Sequence, residues 1–192
     1  DYIAQVLAET PNITGRDIAN IIGRLGQAQT SLNMAPQEIF GVYGLAAKLG
    51  GSASVVGRGV SQLLTAELVN PQSKEQKQAF ARLGLPTEPQ ALREMGGIEI
   101  LRRLMGTVQG LTPQQIAGLR SQGDDVPDDE ALRNAGINTN RADINLLYQA
   151  LGRMESVRVI LSMLGAEYQG KRGIEALTSF INGLEDADKA NR

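Results

Sequence analysis

Residues 50–60 read GGSASVVGRGV, with four glycines, two serines and one arginine in eleven positions. Glycine beside hydroxyl and basic groups is the material of a phosphate-cradling loop. That chemistry needs the spacing G-x-x-x-x-G-K-[ST], after a strand and before a helix. Here five residues separate Gly51 from Gly57, Arg58 stands in the lysine position, and Gly59 replaces the hydroxyl. A dinucleotide GxGxxG order fails as well. The stretch therefore reads as a helix stop at Gly50 or Gly51, followed by a helix with Gly57 and Gly59 inside it. Each interior glycine costs about 1 kcal/mol relative to alanine, which predicts close backbone approach by a neighbouring helix.

Other groups suit metal or acid–base chemistry only in type. The acidic run DDVPDDE lacks the calcium-loop pattern: counted from Asp124, position six is not glycine and position twelve is Ala135. It reads as a solvated loop whose Asp128 and Asp129 favour the next helix N-terminus. Paired carboxylates can hydrolyse glycosides, and Glu38, Glu67, Glu94, Glu99 and Glu155 are the helical candidates. Each reads as a surface residue. Tyr43, Tyr148 and Tyr168 read as packing or rim residues. The sequence thus nominates no catalytic residue, no cofactor-binding residue, no metal ligand and no cofactor.

Composition narrows the chemistry further. The chain has 192 residues and no Cys or His. Disulfides, zinc–thiolate sites, cysteine nucleophiles and Ser-His triads are excluded within it. Net charge is −2, and Arg102-Arg103 and Lys171-Arg172 are isolated basic pairs. Specific nucleic-acid binding and attraction to anionic membranes are not expected. Uncharged stretches fall short of the roughly 18 apolar residues of a membrane span. No signal-peptide pattern opens the chain, and its start at Asp1 reads as a piece or processed product of a longer protein.

The elements that must hold these residues are helices. Apolar residues make up 42% of the chain and aromatics 4%, a palette for close helix packing. Thr14 reads as an N-cap with Asp17 at N3, ahead of the stripe Ile18, Ile21, Ile22 and Leu25. Pro36 opens a helix carrying Ile39, Val42, Tyr43, Ala46 and Leu49. Ser52 or Ser54 caps the next, with Val56, Val60, Leu63, Leu64 and Leu68, broken at Asn70-Pro71. A fourth runs from Gln72 to Leu83. Two short helices flank Gly96-Gly97, and Thr112-Pro113-Gln114-Gln115 is a capping-box start. A short helix ends at Gly136. One long helix, of roughly 35 to 40 Å at 1.5 Å per residue, then starts near Thr139 or Asn140 and carries Ile144, Leu147, Tyr148, Leu151, Met154, Leu161 and Leu164. The last carries Ile174, Leu177, Ile181 and Leu184. No segment alternates as a strand does.

The expected fold is therefore all-α: a compact domain of eight to ten short helices with no sheet. Residues 1–13 read as an extended arm or linker and 14–186 as the helical domain, with a sub-boundary near 110–112 and a flexible loop near 121–129. Residues 187–192 read as a frayed tail.

In order, "MAPQEIFGVYGLAAKLGGSAS", "VVGRGVSQLLTAELVNPQSKEQKQAFARLGL", "GGIEILRRLMGTVQGLTPQQ", "INLLYQALGRMESVRVILSMLGA" and "GIEALTSFINGLEDADKAN" resemble the core region of phage tail tape measure proteins. The resemblance covers roughly residues 14–191, and "RSQGDDVPDDEALRNAGINTNRAD" departs from it as a longer, more acidic connection. It implies a structural, non-enzymatic role in the virion tail: setting tail tube length and supporting assembly and DNA ejection. Implied partners are the tail tube protein, tail-tip or baseplate proteins, tail assembly chaperones and further copies of itself. Implied locations are the tube lumen or tail tip, and the host cytoplasm during assembly. Frequent Gly and Pro mark a compact domain of such a ruler rather than its rod. Two other readings stand beside this one. A cell-wall lytic domain would need a Glu in an aromatic-lined cleft, against which stand four Tyr, three Phe and no Trp. A helical adaptor unrelated to phage would show one defined partner.

Overall fold

The computed structural model describes residues 2–48, 53–108, 110–121, 128–138 and 140–190. Capping signals in the sequence place several of the helix starts. Thr14 accepts from the Asp17 backbone N–H at 3.3 Å, while the Thr14 N–H donates to Asp17 Oδ2 at 2.9 Å. This closes a reciprocal box at the head of α2 (Gly15–Leu32). Thr112 and Gln115 repeat it for α8 (Pro113–Arg120), with Pro113 at N1. Ser73 caps α5 (Lys74–Arg82) through the Gln76 N–H, and Glu38 accepts from the Ala35 N–H at 2.7 Å ahead of α3 (Pro36–Lys48).

The remaining helices are α1 (Tyr2–Glu9), α4 (Ala53–Gln62), α6 (Pro89–Met95), α7 (Gly97–Thr107), α9 (Asp128–Asn134), α10 (Ala142–Leu151), α11 (Met154–Gly165) and α12 (Gly173–Ala190). A π-helix, Leu63–Glu67, continues α4. Two strands, β1 (Glu167–Tyr168) and β2 (Lys171–Arg172), pair antiparallel between α11 and α12. Among the described residues, twelve α-helices, one π-helix and a small sheet correct the expectation of eight to ten helices and no sheet.

Each correction has a local cause. The long helix expected across 140–164 is two, because Gly152 adopts φ +68° and ends α10. At that angle the chain leaves the right-handed helix, and glycine bears it without steric cost. The sheet is a hairpin whose turn residues Gln169 and Gly170 both have positive φ, 51° and 74°. That is the twist a two-residue hairpin loop demands. Its strands are two residues each, too short to show alternation. The arm expected over 1–13 contains α1, which packs on α3 and α12 with Val6 fully buried. The last helix reaches Ala190, past the expected end at 186.

The glycine corner at 49–52, the loop residues 122–127 and Thr139 lie outside the described residues. Beyond the corner, α4 begins at Ala53, so Ser54 lies inside the helix.

Helix α3 is the centre of the molecule. Every residue from Ile39 to Ala47 is buried, enclosed by α1, α4, α11 and α12. Helix α11 is the second axis, packed on α3, α4, α7, α8, α10 and α12. The C-terminal helices thus close the core of the N-terminal ones: α10 lies on α5, α11 on α4 and α12 on α3. Small residues set these approaches. A β-carbon on Gly41 would stand 2.5 Å from Ile181 Cγ1, and one on Gly44 2.7 Å from Phe180 Cε1. Both α3 glycines therefore seat α12 directly against the α3 backbone.

Side chains from one element repeatedly close the carbonyls left open at the end of another. Asn12 Nδ2 donates to Ala47 O at 3.1 Å, Arg103 Nη1 to Gly84 O at 2.7 Å, and Gln115 Nε2 to Gly136 O at 3.1 Å.

Candidate functional site

The five helical glutamates separate sharply in their surroundings. Glu38 caps α3, as above. Glu94 is exposed and accepts from Gln90 Nε2 at 3.1 Å. Glu99 pairs with Arg103 at 3.2 Å, one turn along α7. Glu155 is half-buried at the start of α11. Glu67 is 7% exposed, and neither of its carboxyl oxygens has a hydrogen-bond partner among the described residues. The expectation of a surface residue is wrong for Glu67.

The apolar stripe, rather than the π-helix, explains why a carboxyl ends up there. In the stripe Val60, Leu63, Leu64 and Leu68, residue 67 falls four after Leu63 and three after Leu64, on the buried face. An α-helix continuing from α4 would already turn Glu67 inward. The wide turn is closed by the Leu68 N–H donating to Leu63 O at 3.1 Å, five residues back. Two amides from elsewhere then hold its carbonyls. Gln27 Nε2 of α2 donates to Thr65 O at 2.8 Å. Gln76 Nε2 of α5 donates to Ala150 O, in the last turn of α10, at 3.0 Å, and reaches Glu67 O at 3.5 Å. Gln76 thereby ties the π-helix to the α10 end just before the Gly152 break.

Electrostatically the site favours a protonated acid. Burial pushes the Glu67 carboxyl up to about 7. The Ser156 hydroxyl, Arg153 and Gln62 favour the charged form and Glu155 opposes it, so of the five glutamates the fold brings Glu67 and Glu155 together. Ser156 is fully buried, and its Oγ, like the Glu67 oxygens, falls outside ordinary hydrogen-bond geometry. The signal in the sequence was a glutamate at a core-stripe position after two leucines.

The remaining candidates settle into structure. Tyr43 is fully buried, and burial, reinforced by the Asp17 charge, pushes its phenol up to about 12. Tyr168 is 6% exposed on the hairpin and meets Phe180 edge-on, with centroids 4.9 Å apart. Lys48 Nζ stands 5.2 Å from the Tyr168 ring centroid and also pairs with Glu9 at 3.1 Å. Tyr148 packs against the core. Gly59 meets α11, while Gly57 lies at ordinary contact distance, 3.4 Å, from the Tyr43 ring. Among the described residues no cluster of acidic side chains is placed to hold a metal ion.

Two of the surface clefts are formed by described residues. One, of about 610 Å³, is walled by Leu111, Ile116, Leu164 and Ile174, with Arg172 and Glu175 at its edge. The other, of about 630 Å³, lies between Ser31, Asn33, Val69, Gln90 and Arg93. Glu67 lines neither of these two, and its burial places the acid in the protein interior. No helix among the described residues is long and apolar enough to cross a membrane.

Fold and site together define a predominantly helical packing module with one aliphatic core and one sealed acid at a helix junction. The sequence profile of the phage-related minor tail proteins matches residues 1–122, which covers α1 to α8 and the π-helix. The chain belongs to that family of phage tail proteins. No curated protein and no solved structure matches it.

Proposed function

We propose that the chain is a compact, non-enzymatic domain of a tail tape measure protein, acting in tail assembly, tube-length control and DNA ejection. The observation that carries this reading is the family match over residues 1–122. The ordered resemblance of the helices to a tape measure core narrows it from tail protein to ruler. Dimensions support a compact module rather than a rod: the longest helices among the described residues have 18 residues, or about 27 Å at 1.5 Å per residue. The proposed partners are the tail tube protein, tail-tip or baseplate proteins, tail chaperones and further copies of the chain. The proposed location is the tube lumen or tip.

The sealed position of Glu67 supports a non-enzymatic role. A glycosidase acid must reach its substrate, and this one lines neither described cleft. Peptidoglycan should therefore survive the purified chain, and Glu67→Gln and Glu155→Gln variants should leave that result unchanged.

The deciding experiment is done in a phage carrying the gene. In-frame insertions in rod-like helical segments outside this domain should lengthen the tail tube by about 1.5 Å per residue, measured by electron microscopy. Deleting 14–186 should block tail assembly rather than shorten the tube in proportion. Tubes of unchanged length after the insertions, or normal tails after the deletion, would sink the reading.

A further inference from the structure

Glu67 combines three features that packing alone does not explain. Its carboxyl is sealed with neither oxygen hydrogen-bonded. It sits on a π-helix, an element that costs stability relative to α and recurs at functional positions. It also lies where α2, α5, α10 and α11 meet the end of α4 through polar groups: Gln27, Gln76, Ala150 O and Ser156. An unpaired buried carboxyl is tolerable when neutral and expensive when charged.

We propose that Glu67 is a proton-dependent latch: protonated, it seats the π-helix against the start of α11, and deprotonated it drives that contact open. The charges acting on it are Arg153, which favours the ionised form, and Glu155, which opposes it. On the packed helices, Asp143 of α10 is bound by Arg141 and Asp17 of α2 by Thr14, while Arg58 of α4 and Lys74, Glu75, Lys77 and Arg82 of α5 are exposed and Arg158 of α11 is half-buried. Neither described charge near the carboxyl compensates it by a direct bond, so the latch answers to pH. The group is pushed up to about 7, within the range a cell or its surroundings can cross. Opening separates Glu67 from Ser156 and loosens the Gln76 tie to the end of α10. Gly152, at φ +68°, is the joint about which α10 and α11 can then move apart.

The direction follows from the shift. A carboxyl raised above its unfolded value binds its proton more tightly when closed, so closure is favoured at low pH and weakens as pH rises. Backbone amide exchange on the 192-residue chain, corrected for intrinsic rates, reads this out. Between about pH 4.5 and about pH 8, the opening constant of amides in 63–68 and 154–160 should rise about a hundredfold. Amides of α3, which open only with the whole fold, should keep far lower opening constants throughout, and Glu67→Gln should abolish the rise at 63–68 and 154–160. Carbon-13 titration of the Glu67 carboxyl in the unmodified chain should give a midpoint near 7. Ser156→Ala, which removes a group favouring the charge, should move that midpoint higher. A midpoint in the ordinary glutamate range, an opening constant indifferent to pH, or the same rise in Glu67→Gln would overturn the proposal.

Discussion

The backbone carbonyl oxygen of Glu155 lies 3.0 Å from where a β-carbon on Gly59 would stand, and Val159 Cγ2 lies 2.8 Å from it. A main-chain atom cannot swing aside as a flexible side-chain end can. Gly59→Ala should therefore push α11 off α4 and lower stability by about 1–3 kcal/mol. Gly57→Ala meets only ordinary contact with Tyr43 and should hold its stability or gain up to about 1 kcal/mol of helix propensity. Chemical denaturation of the two variants separates them, and equal losses would show that glycine content rather than α11 contact matters here.

Gly41 and Ile181 make the same kind of fit between α3 and α12. Gly41→Ala should cost about 1–3 kcal/mol by overpacking. In an Ile181→Ala background, where the obstructing Cγ1 is gone, the added methyl should cost far less. A double-mutant cycle by denaturant titration measures the coupling, and simple additivity of the two changes would refute direct contact.

Glu67→Gln should also change global stability in a pH-dependent way. Ionisation of the native carboxyl carries no cost below about pH 4.5, where it is protonated folded or unfolded. The cost grows as pH rises and is complete above about pH 7, reaching at most about 3 kcal/mol. The variant should accordingly match the parent near pH 4 and exceed it near pH 8. Melting temperatures at those two values check the sign.

At the head of α2 the shift runs the other way. Hydrogen bonds from the Thr14 hydroxyl and N–H hold the Asp17 carboxyl below its usual range. Its contribution should be present at neutral pH and fade as pH falls through the lowered value. Thr14→Ala should cost about 1 kcal/mol and return the Asp17 carboxyl toward ordinary behaviour, as read by NMR titration.

Gly152 adopts φ +68°, where a β-carbon is strained. Gly152→Ala should cost about 1–2 kcal/mol, and Gly152→Asn less, because asparagine tolerates the left-handed region. Equal losses for both would assign the effect to something other than backbone conformation.

Local sequence determined the helical content and several of the helix starts. Thr14, Ser73 and Thr112 cap where they do because each donor–acceptor pair closes within three residues. The stops at Gly84, Gly96 and Gly136 are legible for the same reason, since a left-handed φ is a property of one residue. The presence of Gly59 within a helical period announced a close neighbour, but not that the neighbour was Glu155 and Val159. What only the tertiary structure decided depends on contacts across long separations. The fate of Glu67 is the clearest case. Its place on the stripe was visible, but its sealing required α10 and α11, roughly 80 to 90 residues further along the chain, to close over it. The hairpin was hidden because two-residue strands have no periodicity and draw their stability from Tyr168 packing on Phe180. Side-chain spacing encodes which face of a helix is apolar; only the packed core determines what meets that face, and whether an acid on it keeps its proton.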